Sequence, residues 1–292
     1  MGKEPIGGQA VIEGVMMRDK GKVCVAVRKP DENISLKLEE ISSLSNRFPI
    51  LKLPLLRGIV AFFESLVLGV RTLTYSANEA LEEEEEELTN FQLFLTIAFA
   101  LTMGVGLFFF LPTFLMGFVG DSIGVPLYIN FGEGVLRVGI FLSYVMVISR
   151  LNDIQRVFQY HGAEHKVVHC YEANKRLTPE NAKEFSPLHP RCGTSFLLIV
   201  MMVSIILFSF FGWPNLLARF GIRLLILPLV AGISYEVIRF AGRKNNIISR
   251  MISYPGLILQ RFTTREPDKS QLEVAIKALE KIEEDKVNSN NS

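Results

Sequence analysis

Residues 91–119 read FQLFLTIAFALTMGVGLFFFLPTFLMGFV, an unbroken run with no charged side chain. A helix that crosses the hydrocarbon core of a bilayer needs about 20 apolar residues, and this run is longer than that. Pro112 lies inside it and predicts a kink or an interfacial end, because proline removes an N–H and crowds the preceding turn. Working outward, three more windows qualify, at 125–149, 195–213 and 222–241, with Trp213 as an interfacial anchor. The fold class expected is an α-helical integral membrane protein with about four transmembrane helices.

Charge falls between these blocks. The chain has 292 residues, of which 49% are hydrophobic and 21% charged, with a formal net charge of +1. No basic patch dominates, so no nucleic-acid partner is expected; the expected partner is the lipid bilayer, with a homo-oligomer or a membrane-protein partner left open. The connection between the first two windows has Asp121 and no Lys or Arg, whereas the next has Arg150, Arg156, Lys166, Lys175, Arg176, Lys183 and Arg191. Arg243, Lys244, Arg250, Arg261 and Arg265 follow the last window. Basic loops stay inside, so both termini and the 150–194 loop are expected in the cytoplasm; Arg219 and Arg223 weaken the contrast slightly. Three cysteines, Cys24, Cys170 and Cys192, show no paired spacing and are expected to be reduced. Residues 10–17 are too short and too broken for a cleavable signal, so insertion is expected to rest on internal spans.

The flanks divide the chain further. Residues 1–48 read as a β-rich segment: Val23, Val25 and Val27 alternate, the turn residues 30–33 follow, and Ile34, Leu36 and Leu38 alternate again, which predicts a β-hairpin. The preceding GGQAVIEGVMMR at 7–18 reads as a turn leading into a strand. Residues 49–90 hold an apolar stretch at 54–70, interrupted by Arg57 and Glu64, and then the acidic run at 82–87. That stretch reads as an interfacial amphipathic helix, with a re-entrant segment as the other option. In the 242–292 region Leu272, Ile276, Leu279 and Ile282 recur at helical spacing.

All four histidines, His161, His165, His169 and His189, fall in the 150–194 loop between the membrane pairs 91–149 and 195–241. Residues four apart share a helix face about 6 Å apart along the axis. His161 and His165 therefore pair on one ion, or His165 and His169 do, while His161 and His169 are about 12 Å apart. The remaining histidine would support the site or shuttle protons. His161 to His165 spell H-x-x-E-H, in which two imidazoles hold a metal and Glu164 activates water. Neutral imidazole binds zinc well and zinc brings bound water to a pKa near 7, so a divalent ion, zinc first, is the expected cofactor. His189 and Cys192, two residues apart beside Pro190, supply the candidate third ligand. The bland reading, a solvated polar face, suits one pair of histidines better than it suits this cluster. Thr178-Pro179-Glu180 reads as the start of a short helix, which makes the loop a folded one. Two acids lie in apolar windows, where an ionised group costs roughly 2.5–3.5 kcal/mol. Glu133 is expected to pair with Arg137, and Glu236 with Arg239 or Arg57, or to reach the metal site.

Residues 7–18, the Leu56-Arg57-Gly58 stretch, the His161–His165 motif and the His189-Pro190-Arg191-Cys192-Gly193-Thr194 turn together resemble the bacterial YqhQ family of membrane proteins. The resemblance covers all but the acidic run and the last dozen residues. It implies a bacterial cytoplasmic membrane location and a metal-dependent enzyme without an established reaction, and it draws Glu13, Arg18 and Arg57 into the candidate site.

The leading expectation is a membrane-embedded, metal-dependent hydrolase. His161 and His165 bind the ion, His189 or Cys192 completes the set, and Glu164 is the general base. His169, Glu236 and Glu13 are supporting or alternative ligands, and Arg18, Arg57 and Arg191 hold an anionic group of a substrate reached from the cytoplasmic interface. The rival readings are a non-catalytic, metal-stabilised membrane scaffold, and a small oligomeric transporter.

Overall fold

The alternating valines do form a strand, within a larger sheet than the hairpin expected. In the computed structural model, which describes residues 6–19, 21–81, 89–243 and 246–290, the N-terminal region is a four-stranded antiparallel meander. Its strands are β1 (Gly7–Val11), β2 (Gly14–Asp19), β3 (Lys22–Arg28) and β4 (Ile34–Glu40). The stretch read as a turn is β1, a tight turn and β2. Glu13 takes a left-handed φ of 50° at that turn, and Ser76 Oγ accepts from Ile12 N at 3.1 Å. β2 is buried on both faces, which removes the alternation of apolar and polar residues along it. The acidic run at 82–87 and Lys244 lie outside the described residues.

One face of the sheet packs Val15, Met17, Cys24 and Ala26 against two helices, α6 (Asn152–Glu172) and α11 (Lys269–Asn290). Leu272, Ile276, Leu279 and Ile282 are the buried stripe of α11, as their spacing predicts. The other face packs Val11, Met16 and Val25 on Leu68 of α2 (Leu56–Glu79), which follows the short α1 (Leu44–Arg47). α2 is one continuous helix, with no turn back inside 54–70. Its start crosses α9 (Leu216–Arg243) so closely that a Cβ on Gly58 would lie 2.7 Å from Tyr235 Cβ. There Arg57 Nε donates to Glu236 at 2.6 Å, one of the pairings expected for that acid.

Among the described residues four helical stretches are long and apolar enough to cross a membrane: Phe91–Val119, Pro126–Ile148, Gly193–Phe211 and Leu216–Gly242. They contain α3 (Asn90–Val105), α4 (Leu111–Ile123), α5 (Pro126–Ile148), α8 (Gly193–Phe208) and α9. The short α7 (Pro179–Lys183) and the amphipathic α10 (Ile247–Thr263) complete the described helices. Phe94, Phe99, Phe118, Leu217 and Leu225 are all more than 60% exposed. A water-facing surface seldom carries so many bulky apolar side chains together.

Pro112 is absorbed locally. A π-helical turn at Gly106–Phe110 joins α3 to α4 just before it. The missing N–H of residue 112 leaves the carbonyl four residues back without its helical donor, and Arg137 Nε donates to Phe108 O at 2.8 Å. Arg137 also pairs with Glu133, as its spacing predicts. Arg223 of α9 adds a two-point grip on the same carboxylate, with one bond at 2.8 Å, and Thr113 donates to it at 2.9 Å.

Leu279 is fully buried between the sheet and α6 whereas Val287 is 60% exposed on the same helix. Leu279→Ala should destabilise the purified protein by about 2–5 kcal/mol, and Val287→Ala by less than about 0.5 kcal/mol. Chemical denaturation midpoints for the two variants check this.

Candidate metal centre

The segment 152–172 contains no proline and forms α6 with two distinct faces. Tyr160, Ala163, Val167, Cys170 and Tyr171 face the sheet and α11. His161, His165, His169 and Glu172, spaced by four, four and three residues, share the opposite side. The loop that follows wraps back along this side. Lys166, almost fully buried, anchors it by donating to Lys183 O at 3.0 Å and Phe185 O at 2.7 Å. Gln260 of α10 clamps its far end, accepting from His189 N at 2.8 Å and donating to His189 O at 2.9 Å.

These segments set the tautomers of the histidines. His161 Nδ1 lies 2.7 Å from Thr263 O, and His165 Nδ1 lies 2.6 Å from Pro187 O. A carbonyl only accepts, so both Nδ1 atoms carry the proton and both Nε2 atoms present a lone pair. His161 Nε2 faces Cys192 Sγ at 3.1 Å. His165 Nε2 is buried with no hydrogen-bond partner among the described residues. One ligand atom from each of His161, His165 and Cys192 lies within 4.8 Å of the others. Carbonyl-oriented imidazoles and a cysteine are a donor set that suits zinc. Cys192 is the N-cap of α8, and its sulfur accepts from Thr194 N at 3.4 Å.

Burial sets the electrostatics. It pushes the Glu164 carboxyl up to about 8, partly offset by the neighbouring His161. It pushes the His165 imidazole down to about 2, with further depression from His161. Burial also raises the Cys192 thiol. All three shifts disfavour the charged form, as burial away from water does. Glu164 Oε2 stands 3.5 Å from His165 Nε2. Gly8 of β1 closes over Glu164, where a Cβ would lie 2.6 Å from Glu164 Cγ. Gly162 lets Arg265 O approach to within 2.1 Å of where its Cβ would stand, and so brings Thr263 beside His161.

A second group gathers His169, Glu172 and His189. Its protons are arranged differently. His189 Nδ1 accepts from Arg191 N at 3.3 Å, so in the neutral ring Nε2 carries the hydrogen, and that atom lies 3.8 Å from Glu172 Oε2. Arg191 pairs with Glu172. This group is an internally bonded network with fewer free lone pairs than the first. The two groups adjoin, the rings of His165 and His189 being 5.6 Å apart. A cleft of about 660 Å³ opens beside the second group, lined by His169, Glu172, His189 and Arg191 and by Ser249 and Tyr254 of α10.

Of the two candidate third ligands, Cys192 therefore joins the His161–His165 pair, and His189 joins His169. Glu13 pairs with Arg156 at 2.5 Å and accepts from Tyr160 Oη at 3.3 Å. Glu236 holds Arg57, and Arg18 stands in β2 in register with Gly7 and Val23; all four lie outside both groups. Glu172 escaped notice although it stands three residues after His169. Gln260 and Thr263 left no local signal, because each acts through a contact distant in sequence, whereas Gly8 lies in the glycine-bearing 7–18 run already singled out.

The chain matches the family described as Protein of unknown function (DUF1385) over residues 53–285. It is also 34% identical over 294 residues to the "Uncharacterized protein YqhQ" of Bacillus subtilis (strain 168), covering 94% of this chain and 91% of that one. No solved structure matches. The chain belongs to the DUF1385 family.

The raised Glu164 pKa predicts how the metal-free protein responds to pH. A carboxyl favoured in its neutral form stabilises the fold fully below its ordinary value of 4.5, and that contribution is lost as pH rises to about 8. His165 has a dependence of opposite sign, confined below its ordinary 6.5. Between pH 6.5 and 8 the chelated wild type should therefore lose melting temperature, and Glu164→Gln should lose less. Equal slopes for the two proteins would contradict the placement of Glu164 in a dry pocket.

Proposed function

We propose that this member of the DUF1385 family is a membrane-embedded, metal-dependent hydrolase whose site is formed by His161, His165, Cys192 and Glu164. The observation that carries the reading is the pair of imidazoles with Nδ1–H held by carbonyls, one Nε2 facing a cysteine sulfur and the other buried without a partner. Leaving a buried polar atom unsatisfied costs about 1–3 kcal/mol, and a divalent cation at that position removes the cost. When bound, zinc supplies Lewis acidity and lowers the pKa of water toward 7.

The remaining chemistry belongs to the chain. Glu164 is neutral in the dry site and ionises once a cation compensates its charge, so Oε2 becomes able to take a proton beside His165 Nε2. Gly8 and the 184–192 loop exclude water. Arg191 in the neighbouring cleft is suited to an anionic group of a substrate. The four long apolar stretches support a bilayer location. So does α10, whose exposed Ile247, Ile248, Met251 and Tyr254 form an apolar face next to the cleft. A substrate drawn from the membrane surface fits this arrangement. With basic loops inside, that surface is the cytoplasmic one and both termini are cytoplasmic.

A second reading, a metal-stabilised scaffold, draws on the same 3.5 Å approach of Glu164 Oε2 to His165 Nε2. As a fourth ligand, Glu164 would close the coordination sphere, the mark of a structural zinc site.

Elemental mass spectrometry on untagged protein decides first. The hydrolase reading expects about one equivalent of zinc or a similar ion, lost in His161→Ala/His165→Ala and in Cys192→Ala, and kept in His189→Ala. Glu164→Gln should keep the ion and lose about 10²–10⁴-fold in turnover on whichever ester, phosphoester or peptide a screen identifies. If Glu164→Gln instead sheds the ion and lowers the melting temperature, the scaffold reading stands. Metal-free wild type after gentle purification would end both.

A further inference from the structure

At the end of the helical bundle remote from the histidines, buried charge is unbalanced. Glu133 is 1% exposed and holds Arg137 and Arg223. Arg219, one turn before Arg223 on α9, is 8% exposed. Its guanidinium lies 3.4 Å from the ring centroid of Trp213, and Nη2 donates to Pro214 O at 2.8 Å. Its Nε is buried and has no hydrogen-bond partner among the described residues. Among the described residues the cluster has three guanidinium groups, from Arg137, Arg219 and Arg223, and one carboxylate, from Glu133. Buried cations demand counter-charge, and among the described residues this cluster has one carboxylate for three guanidinium groups.

Arg219 also lines an apolar groove of about 670 Å³, a size typical of small-molecule sites, which run about 300–1,000 Å³. The groove follows the π-helical turn and α4 through Gly106, Phe110, Thr113, Phe114 and Gly117, spaced four, three, one and three residues apart, and Leu216 of α9 lines it too. A Cβ added at Gly106 or Gly117 would meet nothing within 4 Å, so the channel is open at both points. Those two positions are about 16 Å apart along a helix, the reach of a fatty-acyl chain. Trp213 marks the headgroup level of a bilayer, and Arg219 stacks on it.

We propose that this groove binds one anionic phospholipid, with an acyl chain along the Gly106–Gly117 face and the phosphate on Arg219. The inference rests on the reading that the four apolar helices cross a bilayer, and it is independent of the metal centre. Charge complementarity selects the occupant. A phosphate diester accepts from the unpartnered Nε and offsets part of the excess positive charge, whereas an apolar helix of a partner would leave both unsatisfied.

The test is native mass spectrometry of the detergent-solubilised full chain, titrated with phosphatidylglycerol, phosphatidylcholine, diacylglycerol or soluble glycerol phosphate. The expected result is one phosphatidylglycerol per chain, weaker phosphatidylcholine binding, and neither of the other two retained. Arg219→Ala should reduce phosphatidylglycerol retention about tenfold or more, as loss of a charge-assisted hydrogen bond implies. Gly117→Leu should block the channel to a similar extent, and Arg261→Ala, an exposed arginine on α10, should change nothing. Gly117→Leu carries the test alone if Arg219→Ala does not fold. Wild-type retention in the folded variants, diacylglycerol binding equal to phosphatidylglycerol, or a lipid-insensitive homodimer lost in Gly117→Leu would each overturn the site. Release of the chain from membranes by alkaline carbonate would overturn the bilayer reading and this inference with it. Carbonate resistance without lipid binding would overturn the lipid site alone, and the metal content of Arg219→Ala should equal that of wild type throughout.

Discussion

Three backbone carbonyls from distant segments, those of Thr263, Pro187 and Leu188, meet the ring nitrogens of His161, His165 and His169. An imidazole on a buried helix face must place its N–H somewhere. Placing it on these carbonyls folds the 184–192 loop and the segment after α10 onto α6. Other features follow from that constraint. Gly162 must lack a side chain for Arg265 to come close, Lys166 must be buried to tether the loop, and Gln260 must clamp His189. The same hydrogen bonds determine which nitrogen lone pairs remain, so the packing of the loop and the chemistry of the site have one cause.

The bundle of apolar helices meets the same demand by other means. Backbone groups freed by Pro112 have no water to turn to in an apolar setting. The π-turn and Arg137 satisfy them, and Arg137 in turn is held by Glu133. A single carboxylate thereby ties together α4, α5 and α9 through Thr113, Arg137 and Arg223. The sheet and α11 form a separate layered core on the other side of α6. α6 thus carries two faces with different tasks, one apolar and packed, the other lined with imidazoles.

Much of this was legible before any coordinates. The apolar runs located the four long helices, with starts and ends within a few residues except at 222, where the helix begins at Leu216. That difference matters, since Arg219 then lies inside a helix and not in a connection. The spacing of Leu272, Ile276, Leu279 and Ile282 identified the buried stripe of α11. The four-residue spacing of His161, His165 and His169 placed them on one side of α6. Residues 7–18 were read as a turn leading into a strand, and they form two strands, of which β2 is buried on both faces and shows no alternation.

By itself, the sequence determined the properties that depend on near neighbours along the chain: helix length, the face a residue occupies, and the i to i+4 pairing of His161 with His165. Only the tertiary structure decided the properties that depend on contacts between segments. It assigned Cys192 to the first histidine pair and His189 to the second, and gave Arg57 to Glu236 and Arg156 to Glu13. It also set the tautomers. Helical spacing is fixed by covalent geometry, whereas a long-range partner is chosen by which donors and acceptors are left unsatisfied once the chain has folded back on itself.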